Sequence, residues 1–365
     1  MKKIFLAATK QNDGKTTVAL GLISNFKDRF KRIGFIKPIG QRYLEEEGEK
    51  VDEDSILIER LFKSWGVKSV LKDMSPVAVE RGFTEQYILN PDKKKLTNRI
   101  KQSFRRIAKG KDLVIIEGTG HAAVGSVFDH SNAFVAKTLR AKVILVSSGG
   151  IGRPIDEILL NKSLFEKEGV QLLGVIINKV LPEKFPKVNR LIRRGLSRKG
   201  IDVLGIIPYF QPLSCPLIGQ ILKETNFKLL FGRDGLNNMV KKVVVGAMQP
   251  HDALDYLTDG ALLITGGDRE DMILASLSCY FAKTLEGVRI SGIVLTGNII
   301  PHKSIMNLVE QTRIPVLLAK SDTYSVVSSI HDLMVKIRPQ DKEKIEAVER
   351  MVKKHVELDN ILNRL

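Results

Sequence analysis

Short apolar runs recur along the chain, each closed by a glycine, a proline or a polar turn: "KIFLAA", "RIGFIKP", "DLVIIEG", "AKVILVSS", "LLGVIIN" and "VLGIIP". They are β-branched and continuous rather than alternating, which suits strands buried on both faces, as in a parallel sheet covered by helices. Between them, "KTTVALGLISNFKDRF" and "NAFVAKTLR" carry apolar residues at helical spacing. This βαβ alternation predicts an α/β fold with a doubly wound, mostly parallel sheet. The pattern pauses at "PYFQPLSCPLIGQIL", where Pro208, Pro212 and Pro216 make a link between domains. A second, smaller α/β set follows in "KKVVVGAM", "GALLITGG", "SGIVLTGN" and "IPVLLAKSD". After "ITGG", Asp268 reads as a helix N-cap with acids in the first turn, the other reading being a ligand contact through Arg269. The last segment, "DKEKIEAVERMVKKHVELDNILNRL", reads as one amphipathic helix with Ile345, Val348, Val352 and Val356 on a stripe that packs on the body. The expected domains are therefore 1–212, 213–338 and a terminal helix over 339–365.

Composition narrows this picture. The 365 residues are long enough for two cores, and 43% hydrophobic content fits a globular protein. No apolar run reaches the roughly 18 residues of a membrane-spanning helix. "MKKIFLAATK" leads straight into "NDGKTT", so it reads as a first strand rather than a secretion signal, and the expected compartment is the cytoplasm. Two cysteines, Cys215 and Cys279, lack metal-ligand spacing and read as buried thiols. The net charge of +17 admits an acidic partner. Its densest stretches, however, interleave Ile100, Phe104 and Ile107, then Val188, Leu191, Ile192 and Leu196, at the spacing of surface helices with a solvated basic face. Without zinc-finger spacing or an aromatic RNA-binding motif, nucleic acid is not the expected partner.

The candidate chemistry opens the chain. "TKQNDGKT" has phosphate-loop spacing except that Thr9 stands where the first glycine is expected. Gly14 is free to turn amides toward phosphate oxygens, Lys15 supplies a charge for the β- and γ-phosphates, and Thr16 a hydroxyl for Mg²⁺. A strand precedes the loop and a helix follows, so a helix N-terminus also faces the anion. Lys10, five positions before Lys15, is either a signature lysine that reaches a dimer partner's nucleotide or an exposed loop lysine. Glu117, delivered by "DLVIIE" and followed by Gly118-Thr119-Gly120, is the candidate carboxylate near the metal. Asp54 is a second ligand or a first-turn acid, with Asp52 as its alternative. Lys37 in "GFIKPIGQ" ends the second strand at the carboxyl edge of the sheet, where ligands bind in open α/β folds and a cation stabilises a transferred phosphoryl group. Asn178 and Lys179 follow a later strand, in position to read a base edge. Gly149, Gly150, Gly152 and Pro154 form either a switch loop or a plain connection.

These pieces resemble the dethiobiotin synthetase and cobyrinic acid a,c-diamide synthase group of P-loop proteins, and most closely the non-catalytic N-terminal region of long-form phosphate acetyltransferases. The resemblance covers essentially the whole chain: "AATKQNDGKTTVALGL", "KPIGQRY", "IEGTGHAAVGSVFDHSNAFVAK", "GGIGRPIDE", "GVIINKV" and "LGIIPY" stand in the family's order. The segment from Lys241 to Arg338 is similar to a DRTGG domain, although the literal Asp-Arg-Thr-Gly-Gly string is absent. The resemblance implies that Lys10, Asn12, Asp13, Gly14, Lys15, Thr16, Thr17, Gly118, Thr119 and Gly120 surround the ATP phosphates. Asn178 and Pro208 would then face the adenine, and Thr16, Asp54 and Glu117 would surround Mg²⁺. Lys15, Lys37 and Glu117 are the implied catalytic groups, and the chain would work as a homodimer.

The departures shape the functional expectation. Gln41-Arg42-Tyr43 replace the small polar residues of a synthetase substrate pocket, and neither a glutaminase nor an acetyltransferase domain is expected within the chain. The leading expectation is an ATP- and Mg²⁺-binding regulatory protein with at most slow ATPase activity, whose C-terminal domain senses a ligand or contacts a partner enzyme. The alternatives are an ATP-dependent ligase that phosphorylates a carboxylate or carbamate, and a basic nucleic-acid binder.

Overall fold

The computed structural model describes all residues except Glu47, 282–288 and Met334, together with all side chains but those of 279–281 among the remainder. Cα packing groups Met1–Tyr209 with Ile337–Leu365 in one compact unit and Phe210–Lys336 in another. In the first unit, the six apolar runs form strands β1 (Lys2–Ala8), β2 (Ile33–Ile36), β3 (Leu113–Glu117), β4 (Lys142–Ser148), β5 (Leu172–Val180) and β6 (Val203–Pro208). They pair in the order β6-β5-β4-β1-β3-β2, all parallel. Burial on both faces explains their unbroken hydrophobicity: Ile4 through Ala8 and Leu113 through Ile116 are wholly enclosed. With Leu6 opposite both Glu117 and Ile144, the carboxyl ends of β1, β3 and β4 open at one edge.

The two basic stretches form helices Lys93–Ala108, which buries Ile100, Phe104 and Ile107, and Phe185–Ser197, which buries Val188, Ile192 and Leu196. Their charges face outward, as the spacing predicts. An antiparallel hairpin, Tyr43–Glu46 with Glu49–Asp52, was not legible in the sequence. Its acidic strands lack an apolar run, yet it brings Asp52 to the edge of the sheet. The terminal segment also differs from a single helix. It runs as Lys342–His355, breaks at Val356 and resumes as Leu358–Asn363. Val356 leaves the helix to bridge Gly205 of β6, where a side chain on residue 205 would come within 2.9 Å of Val356 Cγ2.

The second unit has a five-stranded sheet. Strands β8 (Lys242–Val245), β9 (Ala261–Gly266), β10 (Gly292–Thr296) and β11 (Val316–Leu318) run parallel in sequence order, and β7 (Lys228–Phe231) joins β11 antiparallel. One face packs Met272, Ile273 and Met306, the other Ile218, Val326 and Ile330, so helices cover both sides. Asp268 is not the N-cap: the helix begins at Glu270. Arg269 instead donates to the carbonyls of Gly246 (3.2 Å) and Met248 (3.0 Å) and pairs with Asp271. Cys215 is buried, whereas the side chain of Cys279 lies outside the described residues. Among the described residues no helix is long and apolar enough to cross a membrane.

Helix Lys342–His355 seats on helix Lys15–Phe26 at Gly21, where an added Cβ would lie 2.2 Å from Val352 Cγ2. Alanine in a helix interior ordinarily stabilises by about 1 kcal/mol relative to glycine. Gly21→Ala is expected to reverse that sign and destabilise by about 1–3 kcal/mol in urea unfolding. Adding Val352→Ala to it recovers part of the loss if this contact is the cause.

Candidate nucleotide-binding site

The loop between β1 and helix Lys15–Phe26 is shaped by residues that sequence reasoning treated separately. Gly14 caps the helix at φ 96°, and Asn12 adopts φ 69°, both in the left-handed region. Thr9, in the place of the missing glycine, is buried; its hydroxyl donates to Asp13 Oδ2 (2.7 Å) and shares a second hydrogen bond with the Ser147 hydroxyl (3.0 Å), while Lys10 N also donates to Asp13 Oδ2 (2.8 Å). Thr9 therefore serves as an internal brace.

Asn178 and Lys179, at the end of β5, reach the same loop. Asn178 Nδ2 donates to the Asp13 carbonyl (2.9 Å), and Lys179 Nζ to the Asn12 carbonyl (2.7 Å). Because a trans peptide is planar, fixing those carbonyls also fixes the opposite direction of the Asp13 and Gly14 amides. A Cβ on Gly14 would lie 2.1 Å from Asn178 Nδ2, so the closure of the loop requires glycine. The helix's first hydrogen bond, Val18 N to Gly14 O (3.0 Å), leaves the amides of Lys15, Thr16 and Thr17 without an intrahelical acceptor. Lys10 Nζ pairs with Glu157 at 2.8 Å.

Behind the loop lies a buried charge cluster. Lys37 directly follows β2 and sits among Asp52 (2.9 Å), Asp54 and Glu117 (3.6 Å). All four groups are buried. Burial alone would lower the lysine's pKa, but the carboxylates of Asp54, Asp52 and Glu117 outweigh it and hold the ammonium well above its usual value. Burial pushes Glu117 up to about 7, against the pull of Lys37, with Asp54 adding to the rise. Lys15 is lowered by burial, with Glu117 pulling the other way. Thr16 Oγ1 donates to Glu117 Oε1 at 2.8 Å, joining the loop to β3. Glu117 Oε2 is buried with no hydrogen-bond partner among the described residues. Asp52, the alternative acid in the sequence, also caps helix Glu53–Ser64 by accepting from Asp54 N (3.0 Å).

Gly118, Thr119 and Gly120 follow β3 and build the adjoining wall. A Cβ on Gly118 would meet Asn132 Oδ1 at 2.6 Å, and Gly120 turns at φ 69°. Pro208 ends β6, half-buried, and Thr17 lies in the first helical turn. Two residues escaped sequence reasoning. Asn132 accepts from Thr119 N (3.0 Å) and donates to the carbonyls of Thr119 (2.8 Å) and His121 (2.7 Å). Asn161 accepts from Ala122 N (2.7 Å) and lies 3.5 Å from the Thr9 carbonyl. For Asn161 the available signal was a polar residue three places after buried Ile158 on a helix's inner face.

The site thus brings together a left-handed glycine, helix amides without an intrahelical acceptor, a buried lysine, a hydroxyl and a buried carboxylate oxygen without a hydrogen-bond partner among the described residues. Converging amides and a cation suit a polyphosphate, and hard oxygen donors suit a small divalent cation. Among the described residues, no three His, Cys, Asp or Glu side chains form a metal site by themselves.

Residues 2–216 match the family described as AAA domain, and residues 220–333 match the DRTGG domain. The chain is 25% identical over 372 residues to the phosphate acetyltransferase of Nitratidesulfovibrio vulgaris, covering 99% of this chain and 51% of that protein. It is 27% identical over 374 residues to that of Pseudomonas putida, covering 98% and 51%. It therefore spans about half the length of these curated relatives. Among solved structures, the MinC:MinD cell division protein complex of Aquifex aeolicus aligns at 17% identity and a TM-score of 0.35, covering 59% of this chain and 84% of that one. With a phosphate-loop strand, turn and helix at its head and the match spanning most of its length, the chain belongs to the AAA-domain family of P-loop proteins, joined here to a DRTGG domain.

Proposed function

We propose that the chain is an ATP- and Mg²⁺-binding regulatory module that works as a homodimer. In this reading its DRTGG domain senses a small ligand or contacts a partner enzyme of the acetyl-transfer kind found among its relatives. The observation that carries the nucleotide reading is the concerted geometry of Gly14, Lys15, Thr16 and Glu117. Amides from Asp13 to Thr17 and the Lys15 ammonium hold phosphate oxygens. Thr16, Asp54 and Glu117 hold the magnesium, which when bound neutralises phosphate charge. Asn178 and Pro208 border the adenine, and Gly118 to Gly120 form the wall beside the phosphates. In this reading Lys10, which pairs with Glu157 within one chain, exchanges that partner for the nucleotide of a second copy.

The enclosure of Lys37 supports a regulator over a ligase. A ligase activating a carboxylate or carbamate needs that ammonium turned toward an anionic acceptor, since phosphoryl transfer depends on positioning and charge neutralisation. Here three internal carboxylates already surround it. ATP then acts through differential affinity for two arrangements of the dimer, which is the requirement for any allosteric coupling.

Calorimetric titration with Mg-ATP is expected to give saturable binding, with turnover no faster than a slow background ATPase. Lys15→Ala should weaken binding by about 100-fold or more, the scale set by losing a charge-assisted contact in a buried site. Absence of heat from any magnesium-loaded purine triphosphate would end the nucleotide reading, and rapid turnover with a carboxylic or amine substrate would establish the ligase. Separately, Lys37→Met strands buried carboxylates and should destabilise the nucleotide-free protein by about 3–5 kcal/mol in denaturant. An unchanged midpoint would show that this ion cluster does not hold the edge of the sheet together.

A further inference from the structure

A cavity of about 110 Å³ lies along the free edge of the first sheet, between β2 and residues 68–74. Among the described residues, β2 pairs only with β3. Because Lys37 N donates outward to the Met74 carbonyl at 2.7 Å, strand alternation turns the peptide groups of Phe35 to that same outer side, which lines the cavity. Phe62, Met74 and Ile107 supply an apolar wall. Ser69 lines the cavity too, and its Oγ is buried with no hydrogen-bond partner among the described residues.

The charges there are unbalanced. The cavity's one carboxylate, Asp73, is taken up by Arg106, with Nη2 at 2.6 Å and Nε at 2.8 Å, and by Ser103 at 3.3 Å. Lys68 and Lys111 also line the cavity and form no ion pair among the described residues. The Lys111 stem crosses Gly34, its Cγ 3.4 Å from where a Cβ on that glycine would lie. Burial, with Arg32 nearby, draws the pKa of Lys111 below its usual value against the pull of Asp112, a carboxylate already engaged by Arg32 at 2.8 Å. At about 20–30 Å³ per heavy atom, the space holds roughly four to six such atoms.

We propose that this cavity binds a short-chain monocarboxylate of roughly two to four carbons, its carboxylate between Ser69 and Lys111 and its alkyl end against Phe62 and Met74. The cavity wall continues into the nucleotide site. Met74 O holds Lys37 N, and Ser75 Oγ accepts from Asp52 N at 2.9 Å. Occupancy is therefore felt at the Lys37–Asp52 pair. This coupling rests on the nucleotide reading; the carboxylate site does not.

Trp65, the sole tryptophan, stands 6.1 Å from the ring of Phe62 and offers a local fluorescence probe. The full chain is titrated at constant ionic strength with acetate, propionate and butyrate, and with phosphate and methylammonium as controls. A saturable millimolar response to the carboxylates alone is expected. It should weaken at least tenfold in Lys111→Met and in Ser69→Ala, persist in Lys111→Arg, and stay intact in Lys15→Ala. A linear response, equal saturation by phosphate, or an unchanged response in Lys111→Met overturns the proposal and leaves a cavity holding water or inorganic anions. In the parent protein, saturating propionate is expected to change Mg-ATP affinity severalfold. Carboxylate binding with no such change overturns the coupling alone.

Discussion

A buried ammonium surrounded by carboxylates is the constraint around which the first unit is arranged. Lys37 arrives on β2, Glu117 on β3, and Asp52 and Asp54 from the hairpin and helix between them. Buried charges are costly unless paired, so none of these side chains tolerates burial without the others. The shared ammonium offsets part of their charge, ties the hairpin and helix to β2 and β3, and leaves Glu117 beside Thr16. The phosphate loop is thus held by its own chain and also by the charge cluster behind it.

The loop itself is held from two further directions. Asn178 and Lys179 fix its carbonyls from β5, while Thr9, Asp13 and Ser147 brace its base from β1 and β4. Such preorganisation matters because ordering a loop at the moment of binding costs affinity. The same logic explains Asn132 and Asn161, whose amides tie the segment after β3 to neighbouring helices. The second unit has a plainer economy. Parallel strands in sequence order are covered on both faces, and Arg269 joins the carbonyls of Gly246 and Met248 to Asp271.

The sequence by itself determined what depends on short-range order. Six continuous apolar runs set the parallel strands because residues buried on both faces leave no polar alternation to read otherwise. The spacing of Gly14, Lys15 and Thr16 set the phosphate loop because a strand, a left-handed turn and a helix follow one another without intervening chain. Tertiary structure alone decided which distant groups meet. Asp52 joined Lys37 through a hairpin with no hydrophobic signature, and Asn178 met Asp13 although 165 residues separate them. The terminal helix broke at Val356 because Gly205 leaves room for a backbone bridge. Strand order and side-chain fit settle such pairings, and local spacing along the chain carries neither.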